Sequence, residues 1–433
     1  MSLEELRQCP PKISITAVMT QGKEEDKNEA MMQGDLALVG KWLTRLEDPY
    51  EAQLTYEYFL PADQHDRYKI LMAELEEQEK AWKIIEDEFI RFYTYKLWGG
   101  NPVEQIPAEG DLLQKFDYQF LDAIRDVERD MFTGRSTLLK DVLDFFLDYD
   151  IKADKGKGED EKLEQIKIMK QQFGEEAAAL LENLQKRLEA GKKQILSYAS
   201  DIGALFEQSP PDFAGIMSEQ DLFAVLNLVV KQGTHTNIPI SHNGLGYNNL
   251  IYIALLLSKM QIDADGSYLG SNAKHYPMLA IEEPEAHLHP TMQYQFLSFL
   301  AKNMKQNKVR QVFVTTHSTH MVASVALDNI ICLFREGNQV VAAYPGATFV
   351  NDYSKKYVQR FLDATKSDML FAEKVVLVEG VTEQLLLSVF ARYLGEKYHL
   401  EHNHVSVIDV GGITFRHFLT LFDVERSDKS IKR

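Results

Sequence analysis

The residues with the clearest chemical potential lie in the stretch 278–290, MLAIEEPEAHLHP. A short apolar run ends in two acids, Glu282 and Glu283. Pro284 then turns the chain, Glu285 adds a third carboxylate, and His287 and His289 follow. An apolar run of this length closed by a turn signal predicts a buried strand of a parallel sheet. Acids at the carboxyl end of such a strand stand where α/β sheets bind their ligands. There one acid can hold Mg²⁺ through water, and the next can orient or deprotonate the water that attacks a nucleotide phosphate. The competing reading is a solvated acidic turn after a core strand, so the choice depends on companions elsewhere in the chain.

Three companions follow in an informative order. Residues 241–246, SHNGLG, stand before a helix expected to start near Asn248 and Asn249. Gly244 and Gly246 free the backbone for close approach to a ligand, the helix start offers N–H groups to an anion, and Ser241 and Asn243 add side-chain donors. Residues 311–316, QVFVTT, read as a second buried strand with His317 at its carboxyl end, placed to sense a terminal phosphate or hold the attacking water. Residues 374–378, KVVLV, read as a third strand, with Glu379 at its end and Glu383 four residues on in a first helical turn, so that the two carboxylates can face one metal. Residues 405–410, VSVIDV, close that βαβ unit before Gly411 and Gly412. A zinc site at Glu285, His287 and His289 has no further Cys or His partner at metal spacing. Residues 133–140, TGRSTLLK, lack the first glycine and the lysine of a phosphate loop and read as a helix-to-helix turn.

The chain that must position these groups has 433 residues, enough for two to three domains. Its two cysteines, Cys9 and Cys332, exclude a disulfide framework and a cysteine-based zinc site, and a reducing cytoplasm is the expected setting. No apolar run reaches the roughly 18 residues of a membrane helix, so no membrane partner is expected. The formal net charge of −18 gives no support for broad nucleic-acid affinity; DNA would have to meet a local basic groove.

In chain order, residues 12–20 read as a half-buried strand and 53–60 as another. Helical spacing dominates 68–98 and 116–132. A charged linker at 150–160 precedes a long amphipathic helix. Its seam of Ile166, Met169, Phe173, Ala177, Leu180, Leu184, Leu188, Ile195 and Tyr198 suits a coiled-coil arm or helical hairpin, closed by Pro210 and Pro211. Helix 291–303 follows the acidic strand. Residues 330–334 and 339–343 read as a hairpin turned at Gly337 and Asn338, and 353–370 as a helix.

NGLGYNNL resembles an ABC-type signature loop, LAIEEPEAHLHP a Walker B strand with its D-loop, and VTTHST a switch-histidine strand. VLVEGVTE followed by VIDVGG resembles the opening of a Toprim domain. In this order the motifs resemble the OLD family (overcoming lysogenization defect) of ATP-dependent DNA endonucleases, which includes the nuclease subunit of the Gabija phage-defence system. The resemblance is specific over about residues 239–418 and only compatible upstream.

The resemblance implies an α/β fold: an ABC/SMC-type ATPase core with an inserted helical (coiled-coil) arm, followed by the first half of a Toprim domain. The corresponding segments are 1–150, the N-terminal part of the ATPase lobe without its Walker A loop; 151–212, a dimerising arm; 213–350, the C-terminal ATPase lobe; and 351–433, a partial Toprim domain. It implies ATP and Mg²⁺ (or Mn²⁺) as cofactors. Glu282 would support the metal, Glu283 would be the general base and His317 the switch histidine. Ser241, Asn243, Gly244 and Gly246 would touch ATP held by a partner copy, and Glu379 and Glu383 would bind the nuclease metals. DNA, a homo-oligomer (dimer or higher) and a helicase-like partner subunit are the implied partners. The Walker A loop and the Toprim Asp-x-Asp are missing; Asp409, Asp423 and Asp428 do not form that pair. The chain is therefore expected to be an internal piece of a longer enzyme, inactive alone. The competing function is a non-catalytic SMC/RecF-like ATPase acting as a DNA-associated sensor or clamp, which leaves VLVEGVTE unexplained. A Toprim primase or topoisomerase would have no use for EEPEAHLHP.

Overall fold

The computed structural model describes residues 1–22, 29–123, 138–152, 154, 156–201, 219, 223, 228–231, 237–239, 242–265, 272–286, 288–422 and 431. The chain divides into two units, residues 1–119 with 263–278, and residues 120–262 with 279–433. The arrangement is mixed α/β, as expected.

The first unit is organised by an antiparallel sheet of β1 (Ile13–Thr20), β2 (Leu43–Arg45), β3 (Glu51–Phe59) and β4 (Thr94–Gly99). β3 pairs with β1 from Ile13 opposite Tyr58 to Thr20 opposite Glu51, and with β4 from Leu54 opposite Gly99 to Phe59 opposite Thr94. Among the described residues β1 pairs with β3 alone, and its side chains are exposed on both faces apart from half-buried Met19, so the expected half-buried strand is instead an exposed edge there.

The helical reading of 68–98 needs correction at its end. Helices His65–Ala73 and Gln78–Ile84 form, the second runs into a π turn at Ile85–Phe89, and the chain then becomes strand. Thr94, Tyr95 and Trp98 are good strand formers, and pairing with β3 decides against the helical spacing of their apolar neighbours. The same applies to 116–121, which is β5 (Phe116–Leu121) and not helix. Its aromatics at 116, 118 and 120 alternate with Asp117 and Gln119, a period of two.

Beside this sheet, Leu6, Leu60, Tyr68, Met72, Ala81, Ile85 and Phe89 form a buried cluster. Two phenols tie it to the N-terminal segment. The Tyr68 hydroxyl donates to the Leu6 carbonyl at 2.8 Å and the Tyr93 hydroxyl to the Pro11 carbonyl at 2.9 Å. Burial, and then neighbouring tyrosine, pushes Tyr93 up to about 12, and burial raises Tyr68 as well. In the unfolded chain both phenols ionise near pH ~10. Above that pH the folded unit holds protons that the unfolded chain has released, so stability falls as pH rises. The urea midpoint of the first unit is expected to drop steadily between about pH 10 and 12, and Tyr93→Phe to flatten part of that slope. A midpoint equally pH-dependent in Tyr93→Phe would show that other groups set the alkaline limit.

In the second unit β6 (Val229–Lys231) pairs antiparallel with β7 (Asn237–Pro239). The central strand β8 (Tyr276–Glu282) lies between β5 and β9 (Gln311–Thr315). β8 alternates buried and half-buried residues, so Leu279 and Ile281 enter the core while their neighbours do not. Helix Leu245–Asp263 supplies Ile253, Leu256, Leu257 and Met260 to that core, and helix Pro290–Lys305 supplies Phe296 and Leu300. β9 departs from the buried strand expected: Phe313 and Thr315 are exposed. The Glu283 N–H donates to the Thr315 carbonyl at 3.1 Å, so β8 and β9 end side by side.

The hairpin forms as expected, from β10 (Cys332–Glu336) and β11 (Gln339–Ala343), with Glu336 opposite Gln339 and Gly337 at φ 59° in the turn. The helix expected over 353–370 is broken: Asp352–Phe361 is helical, Leu362 is extended, and a 3₁₀ turn follows at Lys366–Leu370. Asp363 causes the break by accepting from the backbone N–H groups of Thr365 and Lys366, a local alternative to helix hydrogen bonds. β12 (Lys374–Val378) and β13 (Val405–Asp409) are parallel, joined through helix Val381–Leu394. One core, containing Val322, Leu327, Cys332, Val358, Met369, Ile408 and Phe418, runs beneath the hairpin and this βαβ unit.

The expected long helix forms as Glu159–Asp201, about 64 Å at 1.5 Å per residue. Within its seam Ala177 is buried, Ile166 and Phe173 are half-buried, and Met169, Leu180, Leu184 and Leu188 are exposed. Pro210 and Pro211 lie outside the described residues. Among the described residues no helix is long and apolar enough to cross a membrane.

Candidate active site

The acidic strand end is built by three successive backbone decisions. β8 carries the chain to Glu282, its last residue, which is half-buried. Glu283 then takes φ 41°, a left-handed conformation that costs an ordinary side chain energy and recurs at functional turns. Pro284 and Glu285 continue the turn, with the Ala286 N–H donating to the Glu283 carbonyl at 3.1 Å. The result returns the Glu285 carboxylate to the same strand end as Glu283.

β9 delivers its own end to the same place. The His317 ring nitrogen Nε2 lies 3.5 Å from Glu283 Oε1, and its side chain is 87% exposed. The His317 backbone N–H donates to Glu285 Oε1 at 2.8 Å and reaches Glu283 Oε2 at 3.3 Å. The Thr316 hydroxyl donates to Glu285 Oε1 at 2.5 Å. Ser318 caps helix Thr319–Ala323 and donates its hydroxyl to Gln293 Oε1 at 2.6 Å.

The two carboxylates titrate against each other. Burial, then the Glu285 carboxylate beside it, raises Glu283, with His317 opposing. Burial also works against ionised Glu285, but hydrogen bonds from Thr316, Glu283 and the His317 backbone outweigh it and hold Glu285 below the usual carboxylate range. Among the described residues no donor reaches buried Glu285 Oε2 in hydrogen-bond geometry. A proton shared from Glu283 to Glu285 accounts for the opposite directions of the pair.

The turn before helix Leu245–Asp263 differs from its expected form. The helix starts at Leu245, not near Asn248, and so Gly246, Asn248 and Asn249 are buried within it. Gly244 is the last residue outside: its carbonyl accepts from the Tyr247 and Asn248 N–H groups, and among the described residues nothing lies within 4 Å of where a Cβ would stand. Asn243 turns its amide to the Pro239 carbonyl at 3.4 Å. Ser241 lies outside the described residues, as do His287, Asp423 and Asp428.

The second acidic site sits at the end of β12. Val378 is opposite Asp409 in the parallel register, so the chain ends at Glu379 and Asp409 are neighbours. The Gly412 N–H donates to the Glu379 carbonyl at 2.7 Å, and Asp409 Oδ1 accepts from the Gly411 N–H at 2.7 Å. Gly411 and Gly412 hold φ of 70° and 102°, conformations that favour glycine. Glu379 and Glu383 are both exposed, and Glu383 Oε2 lies 3.4 Å from the point where a Gly380 Cβ would stand. The Glu383 carboxylate therefore folds back toward the strand end that carries Glu379.

Hard divalent cations such as Mg²⁺ take one or two protein carboxylates and keep water in the remaining positions. Glu379 with Glu383 fits that donor set, and so does Glu282 at its strand end. Among the described residues no group of three or more His, Cys, Asp or Glu side chains is arranged to hold a metal. Glu285 does not await zinc, because it is bonded to Thr316 and His317, and His289 uses Nδ1 to cap helix Pro290–Lys305.

The structure thus brings Glu283 and His317 together and sets Glu379 and Glu383 about one strand end. The hydrogen bonds of Asn243 and Gly244 stay within their own turn. Sequence reasoning missed Glu285 and Thr316 as members of the His317 site. The available signal was Pro284, which turns the chain so that acids two residues apart share one strand end.

An acid-ended central strand beside a histidine-ended strand, followed by a parallel βαβ unit with its own acids, defines an ATPase-type core joined to a Toprim-type unit. Residues 50–322 match the family described as AAA ATPase domain, and residues 370–426 that described as overcoming lysogenization defect protein-like, TOPRIM domain. The chain belongs to the family described as AAA ATPase domain, and its residues 370–426 are similar to the OLD-like Toprim domain.

Among its relatives, Endonuclease GajA of Bacillus cereus (strain HuB5-5) is 29% identical over 199 residues, 41% of this chain and 28% of that protein. Old nuclease of Escherichia phage P2 is 25% identical over 182 residues, 41% of this chain and 30% of that protein. The chain thus spans less than a third of either relative. The Smc head domain of Pyrococcus furiosus, solved with an extended coiled coil bound to the C-terminal domain of ScpA, overlays at a TM-score of 0.28 and 13% identity, over 69% of this chain and 79% of that one. That score is too low to carry an argument.

Proposed function

We propose that this chain contributes to an ATP-regulated, divalent-metal-dependent DNA endonuclease, with phage defence or DNA processing as its setting. The observation that carries the reading is the sequence of two acid-bearing strand ends. One has Glu283 within 3.5 Å of His317, and the other has Glu379 at the strand end with the Glu383 carboxylate beside the next residue, Gly380. In the first, Glu282 would support Mg²⁺ beside the phosphates, Glu283 would act as general base, and His317 would sense the terminal phosphate. Asn243 and Gly244, with Ser241, would face ATP held by a second copy, while Gly246 is buried in the helix that follows; this makes a homo-oligomer of two or more chains part of the proposal.

In the second, Glu379 and Glu383 would hold Mg²⁺ or Mn²⁺. Such ions, when bound, supply charge stabilisation for phosphodiester cleavage. The chain's own contribution is to orient the two carboxylates at the end of β12, where the Gly411–Gly412 turn fixes the neighbouring backbone. We assign residues 1–150 to the first part of the ATPase lobe, 151–212 to a dimerising helical arm, 213–350 to the rest of the ATPase lobe and 351–433 to part of the Toprim domain. DNA is the proposed substrate, a helicase-like subunit a partner and the cytoplasm the location.

The test is supercoiled plasmid incubated with the complete gene product, with Mg²⁺, Mn²⁺ or EDTA, each with and without ATP. Cutting that needs the metal and changes with ATP is expected. Absence of cutting in every lane, with ATP turnover intact, would replace this reading with that of an ATP-gated clamp.

A further inference from the structure

We propose that Glu285 is a positioning residue for ATP hydrolysis, fixing the backbone that carries His317 beside Glu283. The inference rests on the ATP-site reading above and adds a residue to it.

The reason lies in how His317 is held. Its side chain is 87% exposed, so packing does little to fix the ring. What is fixed is the main chain from which the ring projects. Glu285 Oε1 accepts both the Thr316 hydroxyl, at 2.5 Å, and the His317 N–H, at 2.8 Å. The same Thr316 oxygen accepts the Ser318 N–H at 2.9 Å. The Ser318 hydroxyl then donates to Gln293 Oε1 at 2.6 Å, and Gln293 Nε2 donates to the Leu288 carbonyl at 3.0 Å. This chain of bonds begins at Glu285 and returns to Leu288, so both its ends lie on the turn that follows Glu283. It ties the two loops together over about 30 residues of sequence, just past the end of the β8–β9 pairing, where the Glu283 N–H donates to the Thr315 carbonyl. Bonds to a carboxylate are stronger than neutral ones, which places most of the constraint at Glu285.

A residue that acts only through geometry has a specific signature. It shifts the population in which Glu283 and His317 are correctly set, and so lowers kcat with little change in KM for ATP. Glu285→Ala is expected to lower kcat by about 10- to 100-fold with KM within about twofold. Glu285→Gln keeps an oxygen that accepts both bonds and is expected to stay within about threefold of wild type. Thr316→Val is expected to resemble Glu285→Ala, and Thr316→Ser to resemble wild type. The double variant Glu285→Ala, Thr316→Val should be no worse than the poorer single one, because the two changes break one link.

The experiment measures steady-state ATP hydrolysis by the complete gene product for these variants and for Glu283→Gln. Thermal melts identify any variant that fails to fold, and the Thr316 pair then carries the test. If Glu283→Gln abolishes hydrolysis but Glu285→Ala and Thr316→Val leave kcat unchanged, the positioning role is wrong and the ATP site stands. Additive losses in the double variant would also overturn it. If Glu283→Gln hydrolyses ATP normally, the ATP-site reading fails and this inference falls with it.

Discussion

Glu283→Gln is expected to lower ATP turnover by about 10²- to 10⁴-fold, the usual contribution of a positioned general base, while leaving nucleotide binding intact. The argument is geometric before it is electrostatic. Glu283 sits at the end of the central strand in a left-handed conformation, 3.5 Å from the His317 ring. Its carboxylate is half-buried, and burial raises its proton affinity toward the range useful for accepting a proton from water. Glutamine preserves shape and hydrogen-bonding capacity but cannot take that proton. Trapped, unhydrolysed ATP on the variant, seen as nucleotide retained through gel filtration, would accompany the loss. Turnover within tenfold of wild type would show that another group activates the water.

Much of this geometry could be read from residue order alone. Strands β8, β9 and β12 are short apolar runs that end in charged or turn-forming residues, and that pattern places Glu283, His317 and Glu379 without coordinates. Residues 94–99 and 116–121 were less legible. Their apolar positions satisfy helical spacing as well as alternation, and pairing with a strand distant in sequence settles the matter for β4. The start of helix Leu245–Asp263 is less legible because Gly246 reads as part of the turn, whereas it is buried in the first helical turn. Glu285 was hidden for a different reason: its role comes from a hydrogen bond to Thr316, 31 residues away, and side-chain bonds across such separations leave no periodic trace. The long helix shows the reverse case. Its apolar seam was plain in the sequence, yet Leu180, Leu184 and Leu188 are exposed, because periodicity reports what a helix can bury and not what covers it.

Glu379→Ala and Glu383→Ala should each abolish DNA cutting while ATP turnover stays within about twofold of wild type. A bound divalent ion contributes several kcal/mol to phosphodiester cleavage, and each 1.4 kcal/mol is tenfold in rate, so loss of its ligand is expected to cost at least about a thousandfold. The two substitutions should not be equivalent in every respect. Glu379 stands at the strand end, where its carbonyl also receives the Gly412 N–H, so its backbone is held whatever its side chain. Glu383 projects from the first turn of helix Val381–Leu394 and favours that helix N-terminus, so alanine there also removes a small stabilising charge. Raising Mn²⁺ concentration should therefore recover part of the activity only where one carboxylate still holds the ion in a fixed frame. Glu379→Gln and Glu383→Gln separate ligand charge from backbone effects. Cutting by both glutamine variants at wild-type rates would remove these carboxylates from the metal site. Loss of ATP turnover in the same variants would mean that the strand-end acids of the Toprim-type unit also support the ATPase, which the core shared by Val322, Met369 and Ile408 makes physically accessible.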